Sequence, residues 1–172
     1  MAQYQARDHV IREAFLQALG SEGATVQKVR DLAEGQSDPY IRSLLLELGN
    51  ATREVYSVRG VGIINIHIKS EPPGWWNIME SVDNHFALLS TMQIHCFYVL
   101  ILGRKDQHVA DGYIATDINQ PPFIQRPTIK SGKFYSVTER QHLDRNKLIL
   151  SIGKIARTLI QQGSAPSPLL AS

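Results

Sequence analysis

The chain has 172 residues, of which 43% are hydrophobic and 20% are charged, and its formal net charge is +2. This composition predicts a globular protein of one domain or two small ones, long enough to bury a core. The longest apolar run, residues 97–102, is too short to cross a bilayer, and the first ten residues hold no apolar signal region. We therefore expect a cytoplasmic protein without a membrane partner. The single cysteine, Cys96, excludes an internal disulfide and is expected to fill the core.

The first fifty residues carry three helical patterns. An apolar stripe at helical spacing covers residues 10–19 and ends at the glycines that follow. A second helix is predicted to begin at Thr25 as its N-cap and to stop at Gly35. The third is predicted to start at a Ser37 or Asp38 cap, with a proline in its first turn, and to end at residues 49–50.

Helices two and three are followed by a strand pair at residues 53–69, which is the element order of a winged helix-turn-helix module. A base-reading third helix would expose Tyr40 and Arg42, but Asp38 and Glu47 would repel the phosphates. The alternative is a helical cap that packs on the later sheet.

The second strand of that pair has two chemically different faces. Ile64, Ile66 and Ile68 point one way, because strand side chains alternate. The residues between and after them, Asn65, His67 and Lys69, point the other way. This alternation predicts a half-buried strand.

The remaining patterns predict an α/β (α+β) fold. A helix near residues 79–92 precedes an apolar strand at 95–102, which forms a hairpin with residues 112–118. Residues 119–133 are predicted to be an irregular surface excursion before a short strand at 134–137 and a helix at about 144–161. We predict a three-helix, helix-turn-helix-like region (1–52), an α/β domain with a mixed sheet flanked by helices (53–162), and a flexible tail (163–172).

Glu54, the turn at 59–62, the triplet His67-Ile68-Lys69 and the helix that follows resemble the core of the PD-(D/E)xK, or restriction-endonuclease-like, superfamily. The resemblance covers roughly residues 53–118. It implies that an acid on the second strand and a (D/E)xK triplet on the third hold a divalent cation and orient a water against a phosphodiester.

When the site residues of the superfamily are matched to this sequence, the resemblance implies that Lys69, Glu54 and His67 are the catalytic residues. Glu54 and His67 would then be the ligands of Mg²⁺ or Mn²⁺. His67 stands where the family has an acid, and an imidazole suits Mn²⁺ better than Mg²⁺. A missing carboxylate would then come from Glu71 or Glu47.

Positive charge is unevenly distributed. Residues 1–70 hold eight bases and eight acids, whereas residues 130–157 hold seven bases and two acids, a local excess of five. Such a segment either follows a phosphate backbone or forms a solvated surface. The predicted nucleic-acid contacts are Arg53, Arg59, Lys130, Lys133, Arg140, Arg145 and Lys147.

Three functions are consistent with these patterns. The first is a metal-dependent endonuclease acting on DNA, which would be a homodimer if it cuts both strands. The second is a DNA-binding or regulatory module of the same fold without catalysis. The third is a protein-interaction domain, since two adjacent tryptophans, Trp75 and Trp76, rarely both face inward and one is expected at the surface.

Overall fold

The computed structural model describes residues 2–70, 75–103, 109–126, 133–137 and 148–163. Within these ranges the chain is a mixed α+β protein with five helices and eight strands, in agreement with the predicted fold class. The helices are α1 (Ala2–Ser21), α2 (Val29–Glu34), α3 (Pro39–Ala51), α4 (Glu80–Thr91) and α5 (Leu148–Gln162). The strands are β1 (Val26–Lys28), β2 (Val55–Val58), β3 (Gly62–Ser70), β4 (Trp76–Ile78), β5 (Cys96–Gly103), β6 (Val109–Ala115), β7 (Phe123–Arg126) and β8 (Lys133–Val137).

A five-stranded mixed sheet in the order β1-β2-β3-β5-β6 forms the centre of the fold. The pair β3 and β5 is parallel, and the other neighbours are antiparallel. Parallel neighbours need a crossover connection, which α4 provides here. A smaller antiparallel sheet in the order β4-β8-β7 packs nearby, and the indole nitrogen of Trp76 donates to the Ile101 carbonyl of β5 at 3.1 Å.

The central sheet is covered on both faces, so two hydrophobic clusters form. One face, which we call the α4 face, packs against α2, α3, α4 and the smaller sheet. The other, the α1 face, packs against α1 and α5. All eight residues of β5 are buried, as its continuous apolar sequence predicts for a strand covered on both sides.

Several predicted elements are confirmed. Asp38 is the N-cap of α3 and accepts hydrogen bonds from the backbone nitrogens of Tyr40 and Ile41 at 2.9 and 3.1 Å. The hairpin of β5 with β6 and the strand at 133–137 are also present. Cys96 is buried as a free thiol, and burial raises its pKa to about 12.

Three predicted boundaries were wrong. Val26 does not belong to the second helix, because β1 pairs Val26 with Val58, and α2 begins only at Val29. Gly49 and Asn50 lie inside α3, which continues to Ala51, since tertiary packing overrides the weak helix preference of glycine. The predicted irregular excursion at 119–133 contains β7, which pairs with β8.

The predicted boundary at residue 52 falls inside one continuous structure. β1, from the N-terminal region, is the edge strand of the sheet that β2 and β3 continue. Buried residues of α3 share a hydrophobic cluster with β5, and buried residues of α1 share one with α5. The predicted tail from residue 164 onward lies outside the described residues.

No helix in the described ranges is both long enough and apolar enough to span a membrane.

Gly62 provides a test of the β3–β5 junction. Its φ of +146° is rarely adopted by L-residues, and an added Cβ would overlap the His95 carbonyl oxygen and lie 3.0 Å from the His95 carbonyl carbon. We expect Gly62→Ala to lower the free energy of unfolding by about 2 to 4 kcal/mol, from backbone strain and overpacking together. Urea unfolding followed by circular dichroism measures this change.

The matched control is Gly20→Ala, where a Cβ meets no atom within 4 Å. In this last turn of α1 the same substitution should be neutral or stabilising by up to about 1 kcal/mol. Equal unfolding midpoints for the two variants would contradict the proposed strain at Gly62.

Candidate functional site

The polar residues of β3 lie on the α4 face, as the alternation predicts. Asn65 is opposite Tyr98 of β5 and is buried, and the imidazole of His67 lies 6.2 Å from the Tyr98 ring. Ile64, Ile66 and Ile68 belong to the hydrophobic cluster on the α1 face. The alternation along β3 is therefore confirmed, but the prediction of a half-buried strand was wrong, because both faces of β3 are covered over most of its length.

Asn65 and His67 form a short hydrogen-bonded chain. The Asn65 amide nitrogen donates to the backbone carbonyl of Glu54 at 3.0 Å, which leaves its side-chain oxygen as an acceptor. His67 Nε2 contacts that oxygen and must carry the proton. The remaining lone pair of the ring is then on Nδ1. This chain ties the polar side of β3 to the residue that precedes β2.

His67 is neutral at physiological pH. Burial, followed by the positive charge of Lys69, lowers the pKa of its imidazole to about 4. Lys69 itself is exposed near the end of β3. A neutral imidazole can act as a single metal ligand or hydrogen-bonding group, but it brings no negative charge to the position where the superfamily has a carboxylate.

The Glu54 carboxylate lies on the opposite side of the sheet from His67. It pairs with Arg12 of α1 at 2.5 Å and accepts a hydrogen bond from the Tyr56 hydroxyl at 3.3 Å. Tyr56 and α1 belong to the α1 face, and burial, together with Glu54, raises the Tyr56 pKa to about 12. The structure therefore does not bring Glu54 and His67 together, and the metal pair expected from the sequence is not formed.

Other acids near β3 have partners of their own. The Tyr98 hydroxyl donates to Asp83 of α4 at 2.7 Å, and His85 of α4 contacts Glu47 of α3 at 2.9 Å. Glu71, the other suggested substitute, lies outside the described residues. In the part of the chain that is described, no group of three or more His, Cys, Asp or Glu side chains is arranged to hold a metal ion.

The basic residues predicted to contact nucleic acid are dispersed. Arg53 precedes β2 and Arg59 follows it, so about 20 Å of extended chain separates them. Lys133 lies on β8 of the smaller sheet. The others, Lys130, Arg140, Arg145 and Lys147, lie outside the described residues. Arg157 pairs with Glu22 at 3.5 Å.

A different set of cations converges at the edge of the central sheet. A cavity of about 450 Å³ opens between the start of α2 and the end of α3, and we call it the basic cleft. Its lining residues are Lys28, Val29, Arg30, Gly49, Asn50, Thr52, Arg53 and Val55. The charged members are three cations, all exposed, and none of the described residues that line the cleft is an acid.

The basic cleft carries positive charge that no ion pair of the described residues offsets. No described residue forms an ion pair with Lys28, Arg30 or Arg53. The carboxyl end of α3 lies at the cleft, but a helix end carries only about half a negative charge, which offsets a fraction of three positive ones. The basic cleft therefore has the electrostatics of an anion site.

Lys28 and Arg30 were missed in the sequence, because counting charge along residues 1–70 gives a neutral segment. They become neighbours of Arg53 only through the antiparallel pairing of β1 with β2, in which Lys28 is opposite Tyr56. A strand predicted at Val26–Lys28 would have indicated this pairing, but a strand of three residues carries too little periodicity to be recognised.

The expectation that one tryptophan faces outward is confirmed. Trp76 is fully buried, whereas Trp75 is 37% exposed. The Arg126 guanidinium lies 5.9 Å from the centroid of the Trp75 ring, within the range of a cation–π contact. Trp75 is thus partly covered by its own chain.

Comparison of the chain with protein-family models, with curated proteins and with solved structures found no match.

The depressed pKa of His67 predicts a pH-dependent stability. The unfolded imidazole takes up a proton near pH 6.5 and the folded one only near pH 4, so protonation favours the unfolded chain. His67 should therefore make the protein less stable as the pH falls from about 6.5 towards 4. Between pH 7.5 and pH 5.0 we expect a loss of about 1 to 2 kcal/mol from this residue.

Urea unfolding of the wild type and of His67→Gln at the two pH values isolates this contribution. Glutamine retains an N–H donor for Asn65 but does not titrate in this range. The variant should lose less stability on acidification than the wild type. A His67 ring that titrates near pH 6.5 by NMR would contradict its burial as a neutral group.

Proposed function

We propose that this chain is a nucleic-acid-binding module with a restriction-endonuclease-like fold that does not cleave its ligand. The observation that carries the proposal is the basic cleft, in which three cations without an ion-pair partner among the described residues line a cavity. Glu54 and His67, which were expected to bind metal together, lie on opposite faces of the sheet. Phosphate backbones are the abundant polyanions that such a site attracts. DNA is the first partner to test.

The position of the motif residues supports the nuclease-like fold. The resemblance implies an acid at the second strand of the sheet and a triplet on the third. Glu54 immediately precedes β2 and the triplet His67–Lys69 lies on β3, the second and third strands in the sheet order. The helix after the triplet then crosses to a parallel strand, β5.

The contacts of those residues favour binding over cleavage. Arg12 neutralises Glu54, and Asn65 engages the His67 nitrogen that faces it. A Mg²⁺ site needs converging oxygen ligands, which this pair does not supply. The metal-dependent endonuclease, with Mg²⁺ or Mn²⁺ held near Lys69, stays a prediction, as do the homodimer and the cytoplasmic location.

The protein-interaction alternative is supported by Trp75, whose ring is 37% exposed beside Arg126. It differs from the nucleic-acid proposal in its dependence on salt. Binding to a phosphate backbone releases counterions and weakens steeply as salt is added, whereas contacts to an aromatic surface do not.

We expect the protein to bind short fluorescent DNA oligonucleotides with an affinity that falls steeply between about 50 and 200 mM salt. Arg30→Gln and Arg53→Gln should each weaken binding severalfold and reduce the slope of log affinity against log salt by about 1, because each removes one phosphate contact. Fluorescence anisotropy measures both quantities.

Arg59→Gln is the matched control, because Arg59 is also exposed but lies at the far end of β2. It should leave affinity and slope near their wild-type values, which would count against the phosphate contact predicted for Arg59 from the sequence. Absence of DNA binding at low salt, or an equal loss in all three variants, would reject the basic cleft as the binding site.

Catalysis is tested separately. We expect neither plasmid nor single-stranded DNA to be nicked or linearised by the protein in Mg²⁺ or Mn²⁺, because Glu54 and His67 lie on opposite faces of the sheet and do not share a cation site. Gel electrophoresis beside a Lys69→Ala variant measures this. Cleavage by the wild type that disappears in Lys69→Ala would replace the binding proposal with the metal-dependent nuclease.

A further inference from the structure

We infer that the basic cleft receives a terminal phosphate, the phosphomonoester at the end of a nucleic-acid strand, rather than a phosphodiester within the strand. The inference rests on the proposed nucleic-acid-binding function and names the part of the ligand that the cleft recognises.

The size of the cleft is the first argument. Val29 and Val55 line it and are 1% and 2% exposed, so the hydrophobic core forms part of its wall. The volume of about 450 Å³ lies in the range of small-ligand sites, about 300 to 1,000 Å³, which leaves room for a phosphate and part of its nucleoside.

The charge of the cleft is the second argument. A terminal phosphomonoester carries about −1.5 to −2 at pH 7, since its second pKa is near 6, whereas an internal phosphodiester carries a single charge. Three cations around one cavity match the former better. Two of them are arginines, whose planar guanidinium groups can each donate two parallel hydrogen bonds to phosphate oxygens.

Arg30 is positioned by packing. A Cβ on Gly49 of α3 would lie 2.5 Å from Arg30 Cγ and 3.4 Å from its Cδ, so the aliphatic part of Arg30 lies directly on the glycine. Because real Cβ atoms do not approach this closely, Gly49→Ala must displace the Arg30 side chain. This substitution moves a cation of the cleft without removing any charge.

The experiment compares oligonucleotides of one sequence that carry a 5′-phosphate, a 3′-phosphate or hydroxyls at both ends, by anisotropy at fixed salt. We expect one phosphorylated form to bind about tenfold more tightly than the hydroxyl form, as one added charge-assisted hydrogen bond provides. The preference should be lost in Arg30→Gln and in Gly49→Ala and retained in Arg59→Gln. Circular dichroism and urea unfolding establish that each variant is folded.

Each other outcome overturns the inference in a distinguishable way. Equal affinity for all three oligonucleotides removes terminal recognition and leaves the proposed binding function intact. No binding to any of them rejects both. Competition by inorganic phosphate or a nucleoside monophosphate at the concentration at which the phosphorylated oligonucleotide itself binds would assign the cleft to a free phosphate ester instead. Loss of preference in Arg30→Gln but not in Gly49→Ala would contradict the positioning of Arg30 by α3.

Discussion

The parallel pairing of β3 with β5 fixes how the helices are distributed over the two faces of the central sheet. Eight residue pairs, from Ile63 opposite Cys96 to Ser70 opposite Gly103, fix the register of the two central strands. A shift of one residue would exchange the faces of every side chain on β3. Parallel pairing also requires the α4 crossover, and because α4 covers one face of the sheet, α1 and α5 are left to cover the other.

Because both faces of the sheet are covered, the polar side chains Asn65 and His67 of β3 form hydrogen bonds within the protein. Asn65 is buried on the α4 face, where an unpaired amide would cost about 1 to 3 kcal/mol. It is satisfied by the Glu54 carbonyl and by His67, which holds β2 and β3 together at their polar end. On the opposite face, Arg12 of α1 neutralises the Glu54 carboxylate. Side chains that would serve a metal in a nuclease are thus committed to contacts between strands and helices.

The cations at the edge of the sheet are in the opposite situation. Lys28, Arg30 and Arg53 form no ion pair with a described residue, and all three line one cavity. Keeping three like charges together costs repulsion, which an anionic ligand relieves. The cations of the basic cleft are therefore available to an anionic ligand, whereas Asn65 and His67 on β3 already have hydrogen-bond partners within the protein. This contrast is the reason for proposing binding rather than cleavage.

Features that depend on local patterns could be predicted from the sequence alone. The alternation along residues 63–69, the continuous apolar run of β5 and the Asp38 cap of α3 each follow from neighbouring residues, and each is present in the structure. It also indicated that one of the two tryptophans would be exposed. The three-residue β1 and β4 and the strand β7 were missed, because strands so short carry too little periodicity to distinguish them from a helix start or a loop.

Which charged residues come together depends on how the elements pack in three dimensions. Glu54 and His67 are thirteen positions apart and lie on adjacent strand segments, but the pleat places their side chains on opposite faces. Arg30 and Arg53 are farther apart in the chain and become neighbours because β1 pairs with β2 and α2 packs against α3. Periodicity encodes the face of a residue within its own element, whereas the approach of two elements depends on packing throughout the core.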